Sequence, residues 1–186
     1  MKIVVIRHGT VDHIWSRWCT SEEFDKECAE YDEAPIKHTA YNIPAIGSDN
    51  VFISSLPRSR ATAENLFDCG LRQTEWADEV PLRSSFDTKF KLPLWFWNLS
   101  GRLQWLINSS RQPEGRLRTQ ERAGKIVDLL CREGTDGVIV THGFFMLTLL
   151  QEMKHAGFTI SKTHAKYQNG EYVIAEKNGH INMKKI

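Results

Sequence analysis

The sequence lacks the features of several large classes of protein. It has no Cys-x-x-Cys pair, and no cysteine has a histidine at metal-ligand spacing, so neither a disulfide framework nor a zinc site is expected. No segment is long and apolar enough to span a bilayer, and the N-terminus lacks the apolar region and cleavage site of a signal peptide. We therefore expect a cytoplasmic protein with reduced thiols at Cys19, Cys28, Cys69 and Cys131.

Excess charge and common ligand-binding motifs are absent as well. Lysine and arginine total 24 against 23 aspartates and glutamates, so the net charge of +1 does not favour nucleic acid or an acidic membrane as a partner. The sequence contains no Gly-x-x-x-x-Gly-Lys loop, no His-x-x-x-His pair and no paired carboxylates of the magnesium-site type beside the motifs described below. We expect no metal and no cofactor.

The distribution of apolar residues predicts an α/β protein. The chain has 186 residues, 41% of them hydrophobic and 25% charged, and no linker or repeat divides residues 1–186, so we expect one domain. Apolar runs of strand length alternate with stretches of helical periodicity. This alternation favours a three-layer αβα arrangement, in which helices cover both faces of a mostly parallel central sheet.

The predicted elements follow this alternation. Strands are predicted over residues 2–6, 51–54, 73–80 and 137–140, and helices over residues 59–69, 117–133 and 144–156. Gly70 and Gly134 are predicted to end the first two helices, because glycine readily adopts the left-handed conformation that follows a helix. Near the C-terminus, alternating apolar residues around Asn178-Gly179 predict a hairpin.

Three predicted strands run directly into residues that can bind or attack phosphate. These segments are Arg7-His8-Gly9, Ser54-Ser55-Leu56-Pro57-Arg58 and Thr141-His142-Gly143. In a mostly parallel α/β sheet, ligands bind beyond the carboxyl ends of the strands. Two arginines and two histidines are therefore expected to meet in one pocket, although His8 and His142 lie far apart in the sequence.

The chemistry of these side chains suits a phosphoryl group. Arginine guanidinium groups bind phosphate oxygens bidentately. A neutral imidazole is a competent nucleophile near pH 7, because the reference pKa of histidine is about 6.5. A second histidine can donate a hydrogen bond to a phosphoryl oxygen. Gly143 lets the backbone approach a ligand closely, and the N-terminus of the helix after it offers unpaired N–H groups to an anion.

Each motif also has a purely structural interpretation. Arg7 alone could be a surface charge, His8 could cap its strand by bonding a carbonyl, and His142 could be a satisfied core residue. Arg58 and Arg60 compete for the inward position, because residues two apart on a helix do not share a face. The expected convergence of all three strand ends separates the functional interpretation from these alternatives.

Together the motifs resemble the histidine phosphatase superfamily, in its phosphoglycerate mutase-like branch. The matching segments are Arg7-His8-Gly9-Thr10, the run from Ser54 to Ala63, and Thr141-His142-Gly143. The middle run is similar to that family's Ser-x-Leu-x-Arg-Ala-x-x-Thr-Ala element, which selects Arg58 over Arg60. Glu114 and Arg122 are similar to the family's Glu-Ser element and its helix arginine, so the resemblance covers the chain from end to end.

The resemblance implies a fold and a set of roles. The fold would be phosphoglycerate mutase-like. His8 would be the nucleophile that becomes phosphorylated, while Arg7, Arg58 and His142 would hold the phosphoryl group without a metal. The residues expected beside the bound phosphate or substrate are Gly9, Thr10 and Gly143. Thr10 stands where many relatives have Glu or Gln, so substrate contacts there are not carried over.

The sequence departs from this family at the proton donor. The family usually has a glutamate after a Pro-x-Leu-x run, whereas here Pro81-Leu82-Arg83 is followed by Ser84, which cannot supply a proton at neutral pH. Asp87 is the first candidate to replace it, with Asp78 and Glu79 as alternatives, although Asp87 can equally be a solvated loop charge or a cap. Some small bacterial relatives that cleave phosphohistidine work without this acid.

Residues 91–107 form an aromatic segment with three interpretations. Five of the six tryptophans lie in this segment or at positions 15 and 18. The segment could be an aromatic lid over the substrate pocket. It could also be a helix packed on the sheet with Trp95 and Trp105 in the core, which we favour slightly. A membrane-surface or partner-binding helix fits less well, because the stretch lacks a strongly basic polar face.

The expected function is that of a metal-independent phosphatase. It would hydrolyse a phosphomonoester or phosphohistidine through a phosphohistidine on His8, acting on a small phosphorylated molecule or a phosphoprotein. One alternative is phosphoglycerate mutase activity, which the short chain and the missing acid disfavour. Another is a non-catalytic phosphate-binding module, which acid loss favours and the retained histidines and arginines oppose. The substrate and the oligomeric state stay open.

Overall fold

A six-stranded sheet forms the centre of the protein. The computed structural model describes residues 1–37, 39–41, 43 and 50–178. The strands of the central sheet are β1 (Lys2–Arg7), β3 (Val51–Ile53), β4 (Leu71–Gln73), β6 (Gly137–Thr141), β7 (Thr159–Ile160) and β8 (Tyr172–Glu176), and a small second sheet pairs β2 (Trp18–Cys19) with β5 (Leu92–Pro93). The order of the large sheet is β4-β3-β6-β1-β8-β7. Strands β4, β3, β6 and β1 are parallel, β8 pairs antiparallel with β1, and β7 pairs antiparallel with β8.

Apolar side chains alternate between the two faces of this sheet. In β1, Ile3 and Val5 belong to one buried cluster, whereas Val4 and Ile6 belong to another. Both clusters are covered by helices, because a strand that is apolar on both faces must be buried on both. The predicted α/β class with a mostly parallel sheet is thereby confirmed.

Five helices accompany the sheet in the described part of the chain. They are α1 (Ser21–Glu33), α2 (Pro57–Glu64), α3 (Leu94–Leu106), α4 (Arg116–Glu133) and α5 (Gly143–His155). Helix α1 was not predicted from the sequence. It begins at a capping box: the Thr20 hydroxyl accepts from the Glu23 amide, and the Glu23 carboxylate accepts from the Thr20 amide. The strands and helices around residues 2–7 and 116–155 agree with prediction, and Gly134 ends α4 at a φ of 66°.

Two predicted elements differ from the structure. Helix α2 ends at Glu64, so Gly70 does not cap it. The predicted strand over residues 73–80 is instead β4 (Leu71–Gln73) followed by a short 3-10 turn (Glu75–Ala77), because the Thr74 hydroxyl accepts from the Trp76 amide and turns the chain. At the C-terminus β8 pairs with β1 and β7, and the predicted hairpin from Gly179 onward lies outside the described residues.

Helix α3 carries the aromatic segment. Trp97 is fully buried against Cys19 and Phe24, and its indole N–H donates to the Cys19 carbonyl. Trp105 packs edge-on against Phe144. The prediction that Trp95 fills the core is wrong: its side chain is 65% exposed, because it lies two residues from Trp97 and faces another direction. Among the described residues no helix combines the length and apolarity needed to cross a membrane.

Candidate active site

Three strand ends meet at one edge of the sheet. Strands β1 and β6 are parallel neighbours with Arg7 opposite Thr141, and β3 pairs with the other side of β6 with Ile53 opposite Val140. The residues that follow these strands are therefore brought together, as the sequence predicted. The rings of His8 and His142 lie 5.0 Å apart between centroids.

His8 is held in the tautomer that a nucleophile needs. Its Nδ1 lies 2.7 Å from the Gly9 carbonyl oxygen, which can only accept, so Nδ1 carries the proton and Nε2 has a free lone pair. Burial, together with the neighbouring Arg58 and Arg7, lowers the pKa of His8 from 6.5 to about 3. The imidazole is therefore neutral across the physiological range, which is the form that can attack phosphorus.

This buried, neutral His8 predicts an acid-sensitive stability. The unfolded chain takes up a proton near a pKa of about 6.5, whereas folded His8 takes it up only at about pH 3. The stabilising contribution is complete above about pH 6.5 and is lost as the pH falls toward 3, and at pH 5 the loss from His8 is expected to be about 2 kcal/mol. Chemical denaturation of the wild type and of His8→Gln at pH 8 and pH 5 measures it.

The variant is expected to lose less stability between the two pH values than the wild type does. His155→Gln, which changes a histidine 63% exposed, is the matched control and should follow the wild type. Parallel curves for the wild type and His8→Gln would show that the buried imidazole is not the cause.

Arg58 is anchored from two sides. Its Nε donates to His142 Nδ1 at 3.2 Å, and its Nη1 donates to Asp32 Oδ1 at 3.0 Å. Because Nδ1 accepts this bond, the His142 proton lies on Nε2, which donates to Ser54 Oγ at 2.6 Å. Burial and the charged neighbours lower the pKa of His142 well below its usual value. In this arrangement His142 orients Arg58, and it reaches a phosphoryl oxygen only by giving up Ser54.

Arg7 packs against the start of α5. A Cβ at Gly143 would lie 2.8 Å from Arg7 Nε, so only glycine leaves room for this guanidinium. Nη1 of Arg7 donates to the Tyr167 carbonyl at 2.5 Å, while its Nε is buried and has no hydrogen-bond partner among the described residues. Arg7 lies close enough to His8 and His142 for its charge to lower the pKa of both, and a guanidinium group suits the oxygens of a phosphoryl group.

The glycine and threonine after His8 are positioned by protein partners. The amide of Gly9 donates to Thr62 Oγ1 at 2.8 Å, and the amide of Thr10 donates to the Tyr41 hydroxyl at 3.0 Å. The Thr10 residue itself is exposed. No observation tests the predicted contacts of Gly9 and Thr10 with a substrate, so these contacts remain predictions.

Arg60 points away from the cluster. Its Nη2 donates to Gln73 Oε1 at 2.7 Å, and its side chain is 48% exposed, whereas that of Arg58 is 1% exposed. The structure therefore brings Arg58 to the histidines and leaves Arg60 on the surface.

Solved structures share this fold, although sequence comparison finds no relative. No model of a known protein family matches the chain, and no curated protein matches its sequence. A mycobacterial glucosyl-3-phosphoglycerate phosphatase matches with a TM-score of 0.57 and 17% identity, over 93% of this chain and 88% of that one. A protein of Thermus thermophilus matches with a TM-score of 0.54 and 18% identity, over 94% and 92%. A phosphoserine phosphatase of Entamoeba histolytica matches with 0.51 and 17%, over 93% and 89%.

This chain has the histidine phosphatase, phosphoglycerate mutase-like fold. Identities of this size establish the fold and leave the activity to be argued from the site.

In this histidine phosphatase fold, Arg7 and Arg58 line a cleft of about 880 Å³, whereas His8 and His142 are buried and are not part of its lining. One wall comes from α3, whose Leu94, Asn98 and Arg102 lie four residues apart on one helix face. The aromatic segment thus has two roles: one face of α3 lines the cleft, and Trp97 on the same helix belongs to the hydrophobic core.

A protein carboxylate already caps the helix that was predicted to receive an anion. Glu79 Oε1 accepts from the Phe145 amide at 2.9 Å, and Oε2 accepts from the Phe144 amide at 3.3 Å. The prediction that the N-terminus of α5 offers unpaired N–H groups to a ligand is therefore wrong for these two amides.

The structure does not bring Asp87 to the histidines. Its side chain is 77% exposed, and both carboxylate oxygens accept from Arg111. This hydrogen bonding lowers the pKa of Asp87, which makes it a poor proton donor at neutral pH. Ser84 is buried, with its amide and hydroxyl both bonded to the carboxylate of Asp25.

Three other carboxylates face the cleft near the cluster, namely Asp32, Asp78 and Glu79. Asp78 uses both oxygens to accept from the amide and hydroxyl of Ser55. Asp32, at the end of α1, was missed by the sequence analysis. The capping box in the sequence marks the start of α1, but no local pattern indicates that Asp32 meets Arg58. Burial raises the pKa of both Asp32 and Asp78.

A buried ion pair braces the segment that carries these acids. Glu114 and Arg122 lie 3.0 Å apart, with side chains 9% and 12% exposed. Nη1 of Arg122 also donates to the carbonyls of Trp76 and Asp78. The two residues that resemble the family's helix elements therefore hold the 3-10 turn and Asp78 against α4.

Proposed function

We propose that this protein is a phosphatase that hydrolyses a phosphomonoester or phosphohistidine through a phosphoryl group carried on His8. The observation that carries the proposal is the free Nε2 lone pair of a neutral, buried His8 beside two arginines at the edge of the sheet. Two of the solved structures with this fold are described as phosphatases, which supports the same class of reaction.

The first step transfers the phosphoryl group to the protein. His8 Nε2 attacks phosphorus, an N–P bond forms, and the bond between phosphorus and the leaving oxygen breaks. Arg7 and Arg58 neutralise the charge on the phosphoryl oxygens as it develops. The leaving oxygen takes one proton, so an alcohol leaves when the substrate is an ester.

The second step regenerates His8. Water attacks phosphorus, the N–P bond breaks, and the proton that water loses passes to the group that gave up a proton in the first step. The products are inorganic phosphate and the original neutral imidazole. The same group therefore acts first as general acid and then as general base.

Asp32 is the best-placed group for this proton transfer. Glu79 already accepts from the amides of Val80, Phe144 and Phe145, and Asp78 is fully bonded to Ser55. Asp32 has only Oδ1 engaged, by Arg58, and its Oδ2 has no partner among the described residues. Burial raises its pKa despite the opposing charge of Arg58. A phosphoryl group on Arg58 adds negative charge beside this carboxyl and favours its protonated form.

The test of the proposed function is to trap the intermediate. Wild-type protein is mixed with p-nitrophenyl phosphate, quenched in alkaline denaturant, digested and analysed by mass spectrometry. We expect one phosphoryl group on the peptide that contains His8. Turnover without any modified histidine, or a phosphoryl group on another residue, would reject the mechanism. The products formed from 3-phosphoglycerate separate the two activities: a phosphatase releases inorganic phosphate, whereas a mutase forms 2-phosphoglycerate.

A further inference from the structure

The large apolar side chains that the described residues leave exposed are confined to two short segments. They all lie between positions 14 and 18 or between positions 86 and 117. They are Ile14, Trp18, Phe86, Phe90, Trp95, Leu99, Leu103, Leu106, Ile107 and Leu117. Single exposed apolar residues are ordinary on a protein surface, whereas a contiguous set marks a surface that binds a partner or a membrane.

Helix α3 carries the centre of this set. Four of its side chains, each 45% to 65% exposed, form one stripe: Trp95, Leu99, Leu103 and Leu106. Successive members are three or four residues apart, so they lie on the same face of the helix. We call these four residues the α3 apolar face. The structure describes every residue of α3, and Asn98 is the only other exposed one, so no charge interrupts this face.

Neighbouring segments extend the apolar surface past both ends of the helix. At its start, exposed Trp18 pairs opposite Pro93, the residue that precedes α3. At its end, the amide of exposed Leu117 donates to the side chain of Asn108 at 2.8 Å. The α3 apolar face is therefore the middle of a longer apolar surface.

Positive charge is concentrated in the same part of the chain. Residues 83–118 contain seven arginines and lysines against two aspartates and glutamates, which gives a net charge of +5. The rest of the chain contains the other 17 against 21, which gives −4. The total of +1 thus conceals a strong asymmetry between the α3 region and the remainder of the protein.

Several of these cations are available to a partner. Four exposed ones have no carboxylate within ion-pair distance in the described part of the chain: Arg17, Lys89, Arg116 and Arg118. The carbonyl of Arg17 accepts from the amide of Leu94 at the start of α3, and Arg116 and Arg118 flank Leu117 beyond its end. Helix α3 has 13 residues, so these cations are spread over about 20 Å along its axis.

The combination of an apolar face with cations at both ends selects the partner. A symmetric contact with a second copy of this chain would bring like charges together in either orientation of the two helices. An acidic protein would need a groove shaped to the α3 apolar face and negative at both of its ends. An anionic lipid surface is negative over its whole area, and it accepts Trp and Leu side chains at the boundary between headgroups and acyl chains.

We propose that α3 docks this protein on an anionic lipid surface, with the α3 apolar face at the headgroup boundary and the flanking cations on the headgroups. The helix itself lacks a basic polar face, and for that reason its own sequence disfavoured this role. The cations come from the segments before and after it. Another side of α3 lines the cleft, so docking sets the cleft beside the lipid surface. The inference does not depend on the proposed function, because lipid binding is measured without turnover.

Co-sedimentation with vesicles tests the proposal. The full chain is mixed with vesicles of phosphatidylcholine alone, and with vesicles of equal amounts of phosphatidylcholine and phosphatidylserine. We expect binding only to the vesicles that contain phosphatidylserine, and we expect added salt to weaken it because salt screens exposed charges. Failure to bind these vesicles, equal binding to both kinds, or binding that salt does not weaken would each overturn the proposal.

Three variants locate the docking surface. Leu99→Gln combined with Leu103→Gln is expected to lower the affinity for the anionic vesicles by roughly 10-fold or more, because apolar area is no longer removed from water. Both leucines are 54% exposed, so the core is left intact. Arg116→Gln is expected to lower the affinity by about 5-fold. Arg132→Gln, which changes an exposed arginine at the other end of α4, is the matched control and should bind like the wild type.

The outcomes separate α3 from other surfaces and lipid from other partners. Circular dichroism verifies that each variant is folded. Wild-type binding by the leucine variant, or an equal loss in Arg132→Gln and Arg116→Gln, would overturn docking through α3. A wild-type dimer that ignores vesicles and that the leucine variant fails to form, seen by analytical ultracentrifugation, would assign the face to a second copy and overturn the lipid proposal. Vesicle binding without turnover of any phosphoester would leave docking in place while the proposed function fails.

Discussion

His8→Ala is expected to abolish turnover of every phosphomonoester, and Arg58→Ala to lower kcat by about 100-fold or more. The first variant removes the Nε2 lone pair that attacks phosphorus in the proposed mechanism. The second removes a fully buried guanidinium that is already oriented by His142 and Asp32. Loss of one preorganised charge-stabilising donor typically costs about 100- to 1,000-fold in kcat. Steady-state kinetics with p-nitrophenyl phosphate measures both effects.

Arg60→Ala is the matched control, because Arg60 lies on the same helix as Arg58 but bonds Gln73 on the surface. Its effect on kcat is expected to be small. Arg58→Lys addresses the possibility that a cavity in Arg58→Ala damages the fold: it keeps most of the volume and the charge but cannot form the same two-sided contacts. A larger loss in Arg60→Ala than in Arg58→Ala would show that the wrong arginine has been assigned to the phosphoryl group.

Asp32→Asn is expected to slow hydrolysis of an alkyl phosphate by about 100- to 10,000-fold and to affect an aryl phosphate far less. An alkoxide is a poor leaving group and needs the proton that Asp32 supplies in the proposed mechanism, whereas a nitrophenolate departs without help. The leaving-group dependence of kcat/KM, measured over a series of phosphomonoesters in both proteins, reports this role directly. The wild type should show a shallow dependence and the variant a steep one.

Asp87→Asn is the control for this experiment and also tests the prediction made from the sequence. Since Asp87 is exposed and paired with Arg111, its replacement is expected to change neither substrate series. A selective loss on alkyl phosphates in Asp87→Asn would restore it as the donor. An equal loss on alkyl and aryl phosphates in Asp32→Asn would mean that Asp32 only positions Arg58. A steep dependence already present in the wild type would mean that no residue donates the proton.

Much of the cluster of Arg7, His8, Arg58 and His142 could be predicted because it depends on strand ends. Parallel strands present their carboxyl ends at one edge of a sheet, so Arg7, His8 and His142 were expected to meet before any geometry was known. The choice of Arg58 over Arg60 followed from the spacing within a single helix and from the family resemblance. Such features are local, since each motif contains both the strand and the functional residue.

The surroundings of the cluster could not be predicted in this way. Asp32 meets Arg58 only because α1 packs beside α2, and Arg102 reaches the cleft only because α3 turns one face toward it. Glu79 accepts hydrogen bonds from two amides of α5, although many residues separate Glu79 from this helix in the chain. Ion pairs and caps between distant segments leave no periodic pattern in the sequence, because any exposed Asp or Arg would fit the local pattern equally well.

The sequence by itself therefore determined that two arginines and two histidines meet at one edge of the sheet. The tertiary structure alone decided that Asp87 stays on the surface with Arg111, that Asp32 stands beside Arg58, and that Arg102 forms no ion pair with a carboxylate of the described residues. The physical reason is that the protonation and pairing of a charged side chain depend on burial and on neighbours brought from elsewhere in the chain, and neither is set by the residues next to it.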